Sequence, residues 1–228
     1  MQTDAVTPRA KIPAPESEHA PRTLDVQASF GPDPAPRPMP PTPPSGRSPA
    51  PGSILVAEPP MADPNFRRAV VLVCEHTTEG SFGLVLNRPS GLTLAEAAAE
   101  TLPFDAELWL GGPVQTDTLH YLHPFGDSVE SALPVLEGVF WGGAFDELRD
   151  AIERGAVLSE EVRFFVGYSG WGPGQLDVEV DEGAWIVLDG DRDVVFAESD
   201  DALWRSLLRQ MGGEYALLST FPDDPSMN

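Results

Sequence analysis

The chain predicts an α+β fold, in which a mixed β-sheet flanked by about three helices forms a single compact domain. Two observations carry that prediction. Short, β-branched apolar runs outnumber stretches with a helical face, and the two kinds do not alternate regularly as a doubly wound fold requires. A third observation sets the boundary. Residues 1–52 hold 14 of the 25 prolines and balance five basic against five acidic side chains, whereas residues 53–228 are globular in composition.

Taken in order, Ile54-Leu55-Val56-Ala57 is a short strand stopped by Pro59-Pro60. Arg68 to Cys74, with a continuous Ala69–Val73 run, reads as a strand buried on both faces. Glu79-Gly80 is a turn, and Phe82 to Leu86 a second strand, so the two form a hairpin-like unit ended by Asn87-Arg88-Pro89-Ser90-Gly91. The alanine-rich stretch Leu92 to Leu102 reads as a helix. Leu108–Leu110, Leu119–Leu122, Val135–Trp141 and Val162–Val166 read as strands. Phe145, Leu148 and Ile152 share a helical face within Ala144–Arg154, closed by Gly155. Leu203, Leu207, Leu208 and Met211 do the same before Gly212-Gly213. Residues 1–52 bury too little apolar surface to offset backbone entropy and read as a disordered proline-rich leader.

Charge and cysteine count exclude several functions. Of 228 residues, 36 are acidic and 14 basic, giving a formal net charge of −22, all of it in residues 53–228, which contain no lysine. So little basic charge argues against direct nucleic-acid binding, which draws on displacement of counterions from phosphates. A single cysteine, Cys74, excludes an intramolecular disulfide and a four-cysteine zinc site. No apolar run approaches the ~20 residues that span a bilayer, and no signal-peptide pattern opens the chain. A cytoplasmic domain without metal or cofactor is the expectation.

Several stretches together resemble the bacterial YqgE/AlgH family. They are Pro59-Pro60-Met61-Ala62-Asp63-Pro64-Asn65-Phe66, His76, Gly83 and Asn87-Arg88-Pro89, then Gly111-Gly112-Pro113-Val114 and Leu122-His123. Gly167-Tyr168-Ser169-Gly170-Trp171, Gly174-Gln175-Leu176 and Asp224-Pro225-Ser226-Met227-Asn228 complete the series. The resemblance implies a compact cytoplasmic α/β-type domain and brings no reaction with it; one branch carries the label of transcriptional regulator, for alginate production. Two departures stand out. Asp177 replaces the usual glutamate, and Ser81-Phe82 replaces a small residue and Met or Ile. Alternation of Leu176, Val178 and Val180 says strand, whereas the resemblance implies a short helix there, which we adopt.

Among residues able to carry chemistry, the glycine turns around Gly111 and Gly170-Trp171-Gly172-Pro173-Gly174 are not phosphate loops, because neither has the required Gly-Lys-Ser/Thr or Gly-x-Gly-x-x-Gly. Where they meet, Tyr168, Trp171 and Gln175 supply an apolar-plus-polar wall for a ligand crevice. His76, at a strand end and turned towards Asn87, extends that candidate site. His76, Asn87, Tyr168, Trp171 and Gln175 are thus the candidate ligand-binding residues. A Cys74/His76 nucleophile pair would share an extended-strand face, but Cys74 ends an apolar run, where cysteine is an inert hydrophobe. His120 and His123 sit three apart on a strand and so face opposite ways, which argues against a shared metal. Asp63 reads as a turn cap, and Asp189-Gly190-Asp191-Arg192-Asp193 as a solvated turn without the glutamate that closes a calcium loop.

No nucleophile, base and orienting group appear together at recognisable spacing. The expected function is therefore a non-enzymatic binding or regulatory module acting through an unidentified protein or small-molecule partner. The alternative is a small-molecule enzyme whose pocket gathers His76, Asn87 and Tyr168.

Overall fold

The computed structural model describes residues 47–97, 104–197 and 201–221. The leader expected over residues 1–52 lies outside them except for its last six residues, as does the terminal Asp224–Asn228 motif.

Ten strands are described: β1 (Ile54–Ala57), β2 (Val70–Thr77), β3 (Gly80–Val85), β4 (Pro89–Thr93), β5 (Glu107–Leu110), β6 (Val114–His123), β7 (Leu133–Leu136), β8 (Val139–Trp141), β9 (Arg163–Trp171) and β10 (Trp185–Leu188). Their order is β10-β1-β2-β3-β9-β6-β8-β7, with β4 paired to β5 and β5 to β9. Pairing is antiparallel throughout except β5–β9, which is parallel and makes the sheet mixed. The long strand β9 is the hinge of the architecture. Its first half lies between β5 and β6, with Phe164 opposite both Leu108 and Tyr121. Its last residues leave those partners and pair with β3, Trp171 opposite Ser81.

The change of partner occurs at glycines. Gly112 has φ +153 and Gly167 φ +67, and a Cβ on Gly167 would sit 2.6 Å from the Gly112 carbonyl oxygen. Two backbones meet there with no room for side chains, which is what the Gly111-Gly112-Pro113 motif provides.

Six helices are described, against the three or so expected: α1 (Leu94–Ala97), α2 (Phe145–Glu153), α3 (Gln175–Asp181), α4 (Arg192–Val195), α5 (Asp201–Met211) and α6 (Gly213–Leu218). Four of the six are one or two turns long, too short to leave a periodic apolar stripe in sequence. The helix expected over Leu92–Leu102 is corrected. Leu92 and Thr93 belong to strand β4, and α1 covers Leu94–Ala97 before residues 98–103, which are not described. The alternating Leu176, Val178 and Val180 form helix α3. Only Leu176 is buried, Val180 is half-buried and Val178 is exposed.

Three apolar clusters form among the described residues. The largest joins Ile54, Leu72, Leu84 and Phe165 to α5 and α6 through Trp204, Leu208 and Tyr215. A second lies under α3, where Trp171, Leu176 and Trp185 cover Leu55, Val71 and Val85. The third packs α2 through Leu148 and Ile152 onto Leu108, Tyr121 and Phe164. Strands β1 and β2 feed both of the first two clusters by alternation, so their runs are buried on both faces.

Glu58 is a buried acid just beyond β1. The Tyr215 hydroxyl donates to its Oε1 at 3.1 Å, and burial raises its pKa more than that hydrogen bond lowers it. A raised carboxyl pKa means the folded state holds the proton more tightly than the unfolded chain. Stability therefore declines as pH rises from about 4.5 through the folded-state value. Glu58→Gln keeps the acceptor for Tyr215 and removes the titration. The variant should lose that decline, seen as a flatter dependence of urea midpoint on pH above 4.5.

Candidate functional site

The five candidate residues do not converge on one pocket. They distribute over three places.

Asn87 follows β3 and is buried. Its Oδ1 accepts the Val70 N–H at 2.9 Å, and its Nδ2 donates to the Arg68 carbonyl at 2.8 Å. Arg88 donates to the carbonyls of Pro64 and Arg67. Asp63 Oδ1 accepts the Asn65 N–H and closes the turn between them. The Asp63–Phe66 and Asn87-Arg88 stretches thus form a knot that seats the start of β2, including Arg68 at φ +58. His76 does not face Asn87. It sits near the far end of β2, past the irregularity between Val73 and Glu75, whereas Asn87 is bonded to Val70 at the strand's start.

Trp171, Gln175 and His76 occupy the face covered by α3. Trp171 is buried, stacked with Phe66 and edge-on to Trp185. One carboxylate binds this group together. Glu179 Oε2 accepts the indole N–H of Trp171 at 2.9 Å and of Trp185 at 2.8 Å, while Oε1 accepts from Gln175 Nε2 at 2.8 Å. Gln175 Oε1 in turn accepts the Gly172 N–H, closing the turn into α3. The polar ends of Trp171 and Gln175 are thus occupied by contacts within the domain. Sequence reading missed Glu179; its signal is the Gln175–Glu179 spacing of one helical turn. His76 lies beside this group, with Nδ1 2.7 Å from Ser81 Oγ and Nε2 3.6 Å from Asp177 Oδ1.

Tyr168 lies on the opposite face. Its ring stacks on Phe82 at 4.7 Å, and Phe82 stacks on Trp141 at 4.4 Å. His120 meets Phe82 and Tyr168 edge-on. All four are half-buried, and Leu133, opposite Trp141 on β7, is 52% exposed. The result is an aromatic ladder that packs on the largest core cluster with one side and reaches solvent with the other.

Among the described residues, the remaining histidine and the cysteine have structural roles. His123 is fully buried: Nε2 donates to the Gly142 carbonyl, and Nδ1 accepts the Phe125 N–H. Burial lowers its pKa and that of His120. His120 Nε2 contacts Thr118 instead, so the two imidazoles share no ligand position. Burial pushes the Cys74 thiol far up, which keeps it protonated and non-nucleophilic. Among the described residues no three His, Cys, Asp or Glu side chains come together as a metal site would require. Asp189 pairs with Arg47, and Asp191 caps α4 by accepting the Asp193 N–H.

A charged group that the sequence reading passed over is Arg163, inside the run Val162–Val166. It is buried, stacks its guanidinium 4.1 Å above Trp109, and donates to the carbonyls of Val195 and Leu86. Burial lowers its pKa to about 10, with Glu107 pulling the other way. It borders a cavity of about 430 Å³ shared with Asp105, Glu107 and Phe196. A lone arginine in an otherwise apolar strand was the available signal.

A family model described as AlgH-like, DUF179, matches residues 54–216. The chain belongs to the AlgH-like family. A UPF0301 protein of Chlorobium limicola is 42% identical over 178 residues, covering 78% of this chain and 95% of the relative. Another, from Chlorobaculum tepidum, is 43% identical over the same shares. The solution structure of the AlgH protein from Pseudomonas aeruginosa aligns with TM-score 0.61 at 34% identity, covering 79% of this chain and 99% of that one. A crystal structure of a Corynebacterium diphtheriae protein aligns with TM-score 0.65 at 27% identity, covering 78% and 95%. The AlgH-like motifs thus have physical roles in this chain: the Asp63 and Asn87-Arg88 stretches seat β2, the double glycine admits β9, and Gly174-Gln175 turns the chain into α3. No helix among the described residues is long and apolar enough to cross a membrane.

Proposed function

We propose that this AlgH-like domain is a cytoplasmic binding or regulatory module that engages a protein partner through the aromatic ladder. The observation that carries this reading is the Trp141–Phe82–Tyr168 stack, half-exposed beside Leu133 on a sheet face. Tyrosine and tryptophan offer large contact area at low conformational cost and recur as binding hot spots. The separation of His76, Asn87 and Tyr168 weighs against the shared pocket that a small-molecule enzyme built on them would need. The acidity of the domain gives the partner its character: a basic rim around an apolar contact.

Leu133→Arg and Tyr168→Ala test this. The first places a charge on an exposed edge residue and leaves the core untouched. A partner retained by the wild-type chain should be lost by both variants, and retention should weaken as salt is raised. Equal retention by wild type and both variants overturns the reading.

A further inference from the structure

We propose that Ser81, His76 and Asp177 form a second site, an acyl-transfer centre in which Ser81 is the nucleophile. Two adjacent strands and one helix bring the three together. His76 and Ser81 are register partners across the β2–β3 turn, and Asp177 sits in the first turn of α3, which lies over that end of the hairpin. Ser81 Oγ is 2.7 Å from His76 Nδ1, and Asp177 Oδ1 is 3.6 Å from His76 Nε2.

We assign the ring hydrogen to Nε2, on the side of the Asp177 carboxylate, which can accept it. The Nδ1 lone pair then faces the Ser81 hydroxyl and can take its proton. The nitrogens are used in the reverse sense from the familiar serine hydrolase, but the roles of nucleophile, base and orienting acid are complete. At 3.6 Å the Asp177 contact is an ion-pair distance; such contacts tighten when the imidazole becomes charged. The His76 side chain is 20% exposed and that of Asp177 48%, so the site opens to solvent.

Attack of Ser81 Oγ on an ester carbonyl transfers the hydroxyl proton to His76 Nδ1, while Asp177 steadies the imidazolium. That proton then goes to the departing alkoxide, which leaves as an alcohol and Ser81 as an acyl ester. A water deprotonated by the same nitrogen hydrolyses this ester, releasing a carboxylic acid and restoring the hydroxyl. The sum is ester plus water giving acid plus alcohol. Acidic side chains crowd the surroundings, with Asp177, Asp181 and Glu182 on or beside α3 and Glu79 in the turn. The acyl groups favoured there are therefore neutral or cationic rather than anionic.

The test uses the full chain with a fluorophosphonate probe and p-nitrophenyl acetate. One phosphonyl adduct should map to Ser81. Ser81→Ala should abolish adduct and turnover, and His76→Gln should lower both by ~10²–10⁴-fold. Asp177 is a positioning residue: Asp177→Asn should slow labelling and Asp177→Glu should restore it. A p-nitrophenyl hemisuccinate ester should react more slowly than the acetate. No adduct, an adduct at another residue, or labelling undiminished in His76→Gln overturns the proposal. The site lies on the face opposite the aromatic ladder, so partner retention by Ser81→Ala separates its failure from that of the binding reading.

Discussion

Gly112→Ala is expected to lower the unfolding free energy by roughly 3 kcal/mol or more. A Cβ there would press into the backbone of Tyr168 and Ser169, and φ is +153. Backbone strain of this kind costs ~1–3 kcal/mol, and overpacking adds ~1–3 kcal/mol. Relief would require β9 to move away from the Gly112 segment, disturbing its pairing with β5 and β6. Urea denaturation checks the size, and amide exchange checks the place: protection should fall first in β9 and β5. Gly174→Ala is the control, since a Cβ at that positive-φ glycine meets nothing within 4 Å. It should show strain without collision, hence the smaller loss.

Glu179→Ala should cost about 2–5 kcal/mol. It orphans two indole N–H groups in a buried apolar cluster, and each unsatisfied buried donor costs ~1–3 kcal/mol. Gln175 loses its partner as well, so the turn that opens α3 should loosen. The measurements are a lower urea midpoint and a diminished near-UV signal from Trp171 and Trp185. Glu179→Gln, which keeps one carbonyl acceptor, should recover part of the loss. A midpoint unchanged in Glu179→Ala would mean that water serves both indoles equally well.

Much of the sheet was legible in the sequence because burial on both faces leaves continuous runs such as Val70–Val73. The errors have physical causes. Leu92 belongs to a strand although an alanine-rich stretch follows it, because pairing with β5 overrides local propensity. Leu176–Val180 alternates like a strand but is a helix with one buried residue, so period alone misleads over so short a span. The single candidate site was not legible as it stands, since a strand sends Tyr168 and Trp171 to opposite faces. Asn87 works on backbone groups that no side-chain pattern reveals. Ser81 and Asp177 were noticed as departures, but their meeting at His76 depends on how α3 lies over the hairpin.

The shared strand β9 also governs how the domain can be made. Translation delivers β3, β5 and β6 well before Arg163–Trp171, the segment that pairs with all three. At ~5–20 residues per second, the ribosome needs roughly 4–17 s to pass from the end of β3 to the end of β9. For that interval the nascent chain holds apolar strands whose edges have no mate. A ribosome that stalls before Trp171 releases a product with its central strand incomplete, a substrate for chaperones and proteases.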